Sequence, residues 1–344
     1  MLAQDALFKA LVVQRSRAYV VASQRQAGAA VTSFPTREPP KVAEYSVKKT
    51  YGRLLDMVDK AFRKDKPLFV LGIYYPLAYF RGPDATVDAW EKNRQRQVCG
   101  LIRSQFLKRF ESSAHAFKQS CNRLLLKLLA WVTKHSVSES DKRRLERWQQ
   151  RHADLVGYVH KQQLEWWGEE QDADEAEAEE DLISEEMLEE VEDLDPEAYD
   201  VDAILNDTFD DLSEVAAFLE ELKKFEPKHD DKLKALVKLL RTDPVLKKHK
   251  VLVFSEFADT ARYLRSQLTE AGIDGVYEID SASKTSRAVI IRRFAPYYNH
   301  LSSRLLAEAG EEEIRVLIST DVLSEGLNLQ DATRLINYDL HWNP

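Results

Sequence analysis

Hydrophobic side chains recur every three to four residues along much of the first two thirds of the chain, which is the spacing of amphipathic helices. This pattern predicts helices from about Asp5 to Gln26 and from Lys49 to Lys64. From Ala89 to Val132 the sequence has one glycine and no proline, which indicates a long helix or a helical hairpin. The proline-containing stretch Phe34–Val42 predicts an extended connector, because each proline lacks an amide donor.

The pattern changes after about Lys232, where helices alternate with short apolar strands. The stretch KVLVFSEF, which starts at Lys250, is a continuous apolar run of the kind found in parallel strands buried on both faces. Further strands are predicted at Gly275–Ile279, Ile314–Ser319 and Arg334–Tyr338, and helices at Asp231–Arg241, Asp259–Ala271 and Ser283–Phe294. This alternation predicts an α/β, doubly wound domain at the C-terminal end, preceded by a mostly helical region.

Small polar and acidic residues follow each predicted strand. Ligands of open parallel sheets bind at the loops that leave the carboxyl ends of the strands. These positions hold Ser255 and Glu256, Asp280 and Ser281, Thr320 and Asp321, and Asp339. Each of them could instead cap the following helix, since Ser, Thr and Asp are favoured there. Their occurrence together at one edge favours a ligand-binding site.

The distribution of charge adds a possible class of partner. The net charge of −9 combines 30 basic and 15 acidic side chains in 1–168, 25 acidic and no basic ones in 169–222, and 19 basic and 18 acidic ones in 223–344. Such asymmetry indicates nucleic acid or another charged partner. Because like charges repel, the acidic segment is predicted to be a solvated, partly helical insertion. It is either a solubilising linker or an internal mimic of nucleic acid that lies against the basic N-terminal part.

Compartment and membrane association follow from simpler features. The two cysteines, Cys99 and Cys121, lack the short spacing of a zinc site, and a cytoplasmic location is expected. The longest apolar stretch, Pro67–Phe80, is shorter than the roughly 20 residues of a membrane helix, so no span is predicted.

The C-terminal stretch RVLISTDVLSEGLNLQDATRLINYDLHWNP, from Arg315 to Pro344, resembles motif V and the next motif of the Swi/Snf-type ATPases of helicase superfamily 2. The shared pattern is a strand, S-T-D, a short turn, G-L-N-L, and a strand that ends in Y-D-x-x-W-N-P. The stretch from Lys250 resembles motif IV of the same family. The element from Gly275 resembles the following one, although the family usually has Gly where this chain has Ser281. Residues Phe106–Leu125 are similar to the helical insertion of bacterial members that recycle RNA polymerase or act in phage defence.

The resemblance implies four regions. Residues 1–48 would be the end of the first ATPase lobe and a connector, 49–168 a helical insertion, 169–222 an acidic, partly disordered insertion, and 223–344 the second RecA-like lobe, truncated before motif VI. It also implies ATP and Mg²⁺ as cofactors of the full-length enzyme and double-stranded DNA as a partner. RNA polymerase or defence-system proteins are candidate partners, and no membrane is expected.

The resemblance further assigns roles to individual residues. A nucleotide would be approached by Glu325, Gly326 and Asn328. The backbone of nucleic acid would be contacted by Ser255, Thr320, Asp321, Arg287 and Arg292.

Catalysis is expected only of a longer protein. The chain has no G-x-x-x-x-G-K-[ST] loop and no motif VI, so by itself it is expected to be inactive as an ATP hydrolase, and no catalytic or metal-binding residue is assigned. The alternative is a non-catalytic adaptor, with a helicase-like lobe, whose helices from Ala89 to Gly168 dock a protein partner.

Overall fold

The computed structural model describes residues 17–28, 30, 34, 36, 38–63, 69–83, 87–159, 194–281, 283, 285–320 and 328–340. The chain divides into two compact units, Met1–Ala43 and Glu44–Pro344. In the first unit, helix α1 (Arg17–Gln26) confirms the described part of the first predicted helix. The Arg17 guanidinium lies 5.6 Å from the ring centroid of Phe34.

The second unit begins with a helical region. Its helices are α2 (Val47–Tyr51), α3 (Arg53–Ala61), α4 (Ala89–Ser112), α5 (Ala114–His135), α6 (Glu139–Arg151) and α7 (Val201–Leu222). The predicted helix Lys49–Lys64 is divided between α2 and α3 at Gly52, whose φ of 51° does not fit a right-handed helix. Ser113 is extended, and its hydroxyl accepts from the Ala116 amide at 3.0 Å. The predicted long helix is therefore a hairpin of α4 and α5.

Helix α7 packs in the core of this region, although it belongs to the segment that its charge predicts to be solvated. Apolar side chains on one side of α7, among them Ile204, Leu212 and Phe218, are fully buried against the other helices. The Phe218 ring lies 5.8 Å from Phe117 of α5. Residues 201–222 form a buried helix because their apolar residues recur at helical spacing, even though the segment is rich in acidic residues. Residues 169–193 of the acidic segment lie outside the described residues.

One carboxylate of α7 is buried and has a structural role. Asp211 accepts the backbone amides of Val70 and Leu71 at 2.7 and 2.6 Å. Burial raises the pKa of this carboxyl to about 7, while the two amides act in the opposite direction. Asp211 therefore joins the loop before the short 3₁₀ helix Gly72–Tyr74 to the helical core.

The C-terminal part forms a parallel sheet with helices on both faces. Its strands within the described residues are β1 (Val251–Phe254), β2 (Val276–Ile279), β3 (Val316–Ser319) and β4 (Arg334–Asn337), in the order β2-β3-β1-β4. The helices are α8 (Asp231–Thr242), α9 (Ala258–Glu270), α10 (Arg287–Phe294) and α11 (Ser303–Glu308). The predicted strands and the α/β class are confirmed; α11 was not predicted.

Alternating strand residues build two hydrophobic layers. Val251 and Val253 pack with α8 and α9 on one face, whereas Leu252 packs with α10 on the other. Burial on both faces explains why β1 is apolar at every position. No helix in the described part of the chain is long and apolar enough to cross a bilayer.

Gly275, at the start of β2, is predicted to be intolerant of a side chain. Its φ is +64°, and a Cβ there would lie 3.0 Å from the Arg315 amide nitrogen and 3.1 Å from the Glu313 carbonyl oxygen. Gly310 has a φ of +69° but nothing within 4 Å, so it is a matched control. Gly310→Ala should cost about 1 kcal/mol of unfolding free energy from left-handed strain, and Gly275→Ala clearly more. Urea denaturation measures both values, and equal costs would contradict this account.

Candidate functional site

The polar residues that follow the strands meet at one edge of the sheet, as the pattern predicts. Phe254 of β1 pairs with Ser319 of β3 and Asn337 of β4, and Ile279 of β2 also pairs with Ser319. The strands thus end in register. The residues just beyond these ends are Ser255, Asp280, Thr320 and Asp339, and each is at most 5% exposed.

Asp339 is the acceptor at the centre of this edge. Its Oδ2 accepts the Ser255 hydroxyl at 2.7 Å, the Glu256 amide at 2.9 Å and the Ser112 hydroxyl at 2.9 Å. Its Oδ1 accepts from Lys232 Nζ at 3.1 Å. Ser112 ends α4, so one carboxylate joins the helical region to two loops of the sheet.

Lys232, in the first turn of α8, is the buried cation beside Asp339. Its Nζ also donates to the carbonyl oxygens of Glu111 and Ser112 at 3.0 and 3.2 Å, and it lies 4.2 Å from the ring centroid of Tyr338. Burial acts to lower the pKa of Lys232, but Asp339 and Glu111 outweigh it, so the pKa is raised. The ammonium therefore stays charged, with each of its three protons directed at an oxygen.

A second buried ion pair lies beside the first. Arg109 of α4 donates to Asp259 Oδ2 of α9 at 2.8 Å, and its guanidinium lies 4.8 Å from the Phe257 ring centroid. The hydroxyls of Ser112 and Ser113 lie 2.7 and 2.8 Å from that of Thr260. Together these groups form what we call the docking cluster, which comprises Arg109, Ser112, Ser113, Lys232, Ser255, Asp259, Thr260 and Asp339.

Ser255 and Thr320, which the sequence predicts to contact the backbone of nucleic acid, are both buried. The Ser255 hydroxyl donates to Asp339 and is 1% exposed. Thr320 is 5% exposed, and its amide donates to the Ile279 carbonyl at 3.4 Å. Their contact with nucleic acid stays a prediction, since both lie at the expected edge but are covered in this arrangement.

The turn after β2 is held by its own contacts. Asp280 Oδ2 accepts from Arg262 at 3.0 and 3.2 Å, and Oδ1 accepts the Ser283 hydroxyl at 2.9 Å. The Ser283 hydroxyl also accepts the Asp280 amide at 2.9 Å. The Asp280 carboxylate therefore stabilises the turn that contains Ser281, where the family that this stretch resembles usually has Gly.

Of the three residues predicted to approach a nucleotide, Glu325 and Gly326 lie outside the described residues. Asp321, a predicted nucleic-acid contact, also lies outside them. Asn328 is described: its side-chain amide donates to the Tyr298 carbonyl, and its own carbonyl accepts from Asn299, both at 2.9 Å. Its buried Oδ1 has no hydrogen-bond partner among the described residues. A buried acceptor in this state fits a hydroxyl or amine donor of a ligand.

Two arginines of α10 remain available at the surface. Arg287 and Arg292 are exposed, and Arg292 Nε donates to the Ala288 carbonyl of its own helix at 3.3 Å. Within the described residues, no group of three His, Cys, Asp or Glu side chains is arranged to hold a metal ion.

Sequence reasoning did not identify Lys232, Arg109 or Ser112 as site residues. A signal for Lys232 existed, because it lies one turn before Leu236, on the buried side of α8. No comparable signal marks Arg109 or Ser112, whose side-chain partners are 148 to 227 positions distant along the sequence.

The comparison with known proteins identifies the α/β part. Residues 231–344 match the family model of the helicase conserved C-terminal domain. The uncharacterized ATP-dependent helicase YqhH of Bacillus subtilis (strain 168) is 31% identical over 109 residues, which are 31% of this chain and 17% of that relative. The chain thus spans about a sixth of the length of that relative. No solved structure gives a significant match. Residues 231–344 are therefore similar to a helicase C-terminal domain, and their fold is α/β and RecA-like.

Lys232→Met is predicted to be strongly destabilising, because it leaves Asp339 buried without its cation. The expected loss of unfolding free energy is about 3–5 kcal/mol. The double variant Lys232→Met/Asp339→Asn should cost less than the sum of the two single changes. Lys248→Met, at an exposed position in the turn after the same helix, is the control and should change stability by no more than about 0.5 kcal/mol. A small effect of Lys232→Met in chemical denaturation would contradict the geometry.

The position of His115 on α5, packed against α9, predicts that the stability of the protein depends on pH. Its ring stacks on Tyr263 of α9 with the ring centroids 5.7 Å apart, and burial lowers its pKa. Asp259 acts to raise this pKa, whereas Lys118 and Arg262 lower it further. Because the unfolded chain then binds the proton more readily, stability is full above about pH 6.5 and falls as the pH drops below it.

The variant His115→Phe keeps an aromatic ring and removes the titration. The unfolding free energy of the wild type, measured relative to this variant, should fall between pH 7.5 and pH 5.5. A difference that does not change with pH would show that His115 is not held neutral.

Proposed function

We propose that this chain is part of an ATP-dependent double-stranded DNA translocase, or helicase-like remodelling enzyme, of the Swi/Snf type. Residues 231–344 would supply the C-terminal RecA-like lobe, which contacts the DNA backbone and forms one wall of the ATP cleft. The observation that carries the proposal is the convergence of Ser255, Thr320 and Asp339 at the carboxyl edge of a helicase C-terminal domain. The name of the relative, an ATP-dependent helicase, supports the use of ATP.

The DNA contacts of this proposal divide into covered and open groups. Arg287 and Arg292 are exposed and can pair with phosphates without rearrangement. Thr320 lies at the carboxyl edge of the sheet, and Asp321 follows it in the sequence. A phosphate contact by Ser255 requires its hydroxyl to leave Asp339, so it would need a local opening of the docking cluster. Contacts of this type position nucleic acid and carry no sequence information.

The nucleotide would lie near the loop that ends at Asn328. The buried Oδ1 of Asn328 is an acceptor for a donor group, and Glu325 and Gly326 belong to the same loop of the sequence. Glycine suits a position where backbone passes close to a ligand. Mg²⁺ would neutralise part of the negative charge of the triphosphate. Partners of the RNA-polymerase or phage-defence type belong to the same proposal and rest on the resemblance of Phe106–Leu125. A cytoplasmic location also belongs to it and rests on the sparse cysteines.

The second candidate is a non-catalytic adaptor. One observation favours it: the docking cluster already uses the polar groups of Ser255 and Asp339 to hold the helical region. In that case the edge would be structural, and the helices from Ala89 onward would bind a partner protein.

The deciding experiment measures ATP turnover of the complete natural protein with and without duplex DNA. We expect DNA to stimulate turnover. Arg287→Ala should weaken DNA binding and reduce the slope of log affinity against log salt by about 1, since one phosphate contact is lost. Arg304→Ala is the control, because Arg304 is exposed on α11 and pairs with Glu308. A folded protein without DNA-stimulated turnover would exclude the translocase and favour the adaptor.

A further inference from the structure

A groove on the α/β lobe lies apart from the candidate site. It has a volume of about 520 Å³ and lies between α8 and the C-terminal end of α9. Leu233, Val237 and Ala271 contribute apolar surface to it. Its other lining residues include Lys228, Lys234, Lys238 and Arg241. The groove therefore combines an apolar floor with a basic rim.

The basic rim is not neutralised by the lobe itself. Lys234, Lys238 and Arg241 are exposed, and the structure records no ion pair between them and any described residue. Lys228 pairs with Glu226 at 2.6 Å, but both side chains are more than half exposed. Among the described lining residues the single carboxylate is that of Glu270, which accepts from Gln267 at 3.2 Å. An anionic occupant would meet at least three uncompensated cations.

The position of the groove separates it from the carboxyl edge. Helix α8 starts beside Asp339 and advances about 1.5 Å per residue, so Arg241 lies roughly 14 Å further along the helix axis than Lys232. Helix α9 ends at Glu270, just before the chain turns into β2. The groove thus runs along α8 and reaches the amino edge of the sheet at Arg241 and Glu270, and none of the predicted DNA or nucleotide contacts lines it.

The acidic segment 169–193 of this chain has the complementary chemistry. It contains 15 acidic and no basic side chains. Its sequence also places Ile183, Met187 and Val191 at intervals of four residues. An apolar floor with a cationic rim suits such a segment better than a nucleic-acid backbone, which has no apolar side chains to bury.

The length of the segment allows it to reach the groove. Residues 160–193 separate Val159 from Leu194, both of which pack in the helical region. Ile183 lies 11 residues before Leu194, so at about 3.3 Å per residue it can reach about 36 Å from that attachment point. A compact unit of the length of Glu44–Pro344 has a radius of gyration of about 19 Å, and the reach of Ile183 is about twice that value.

We propose that the groove between α8 and α9 is the docking site of the acidic segment 169–193. Lys234, Lys238 and Arg241 pair with its carboxylates, and the apolar floor receives Ile183 and its neighbours. This inference is independent of the translocase proposal, because no lining residue of the groove belongs to the docking cluster or is a predicted DNA or nucleotide contact.

Hydrogen exchange of the full chain, followed by mass spectrometry, tests the proposal. Amides of 169–193 should exchange at least five-fold faster in Lys234→Glu/Lys238→Glu/Arg241→Glu than in the wild type. Raising NaCl from 0.05 to 0.5 M should have the same effect on the wild type, since salt screens exposed charges. The matched control is Lys49→Glu/Lys60→Glu/Arg96→Glu, at exposed positions of the helical region, and it should leave the exchange unchanged.

A charge swap guards against loss of folding in the triple variant. Adding Glu185→Lys/Glu186→Lys/Glu189→Lys to the groove variant should restore slow exchange. Equal exchange in all variants would overturn the proposal, as would release of the segment by the control variant. Unchanged exchange combined with weaker duplex DNA binding by the groove variant would instead assign the groove to nucleic acid.

Discussion

The ion pair between Lys232 and Asp339 fixes the relation between the helical region and the α/β lobe. Two charges removed from water are tolerated only when they are paired and their remaining hydrogen-bonding capacity is satisfied. Here Asp339 accepts four donors, and Lys232 directs its protons to oxygens from two parts of the fold. Moving the α4–α5 corner away would leave both charges with fewer hydrogen-bond partners, so these contacts oppose separation of the helical region from the lobe.

This constraint shapes the function that the carboxyl edge can perform. The groups that a helicase-type lobe would offer to a nucleic-acid backbone are buried under the α4–α5 corner, whereas the arginines of α10 remain open. The helical region is then more than a linker, because its position determines which polar groups of the edge are accessible.

Opposite charges are segregated to different parts of the chain, and the fold uses them in two ways. Inside the docking cluster, charges are desolvated, paired and specific in geometry. On the outer surface of α8, Lys234 and Lys238 are exposed to solvent and form no ion pair with any described residue. The same helix therefore presents one lysine to the interior and others to solvent.

The sequence by itself determined the elements and the order of the sheet domain. The apolar run at Val251–Phe254 and the alternation of periods come from local chemistry, so each strand could be predicted. For Ala89–Val132 the pattern allowed either one long helix or a hairpin, and the packed structure has the hairpin α4–α5. Charge count misled for α7, because a helix needs apolar residues on one face only, and 201–222 provides them despite its acidic residues.

Tertiary structure alone decided what the polar edge residues contact. Ser255 could equally have faced solvent, a helix terminus or a phosphate, and its partner Asp339 is 84 positions away. Ser112 is 227 positions from the same carboxylate. Local propensity and spacing contain no information about such distant pairs. These pairs form only when the helical region packs against the sheet, because their charged and polar groups are then removed from water together.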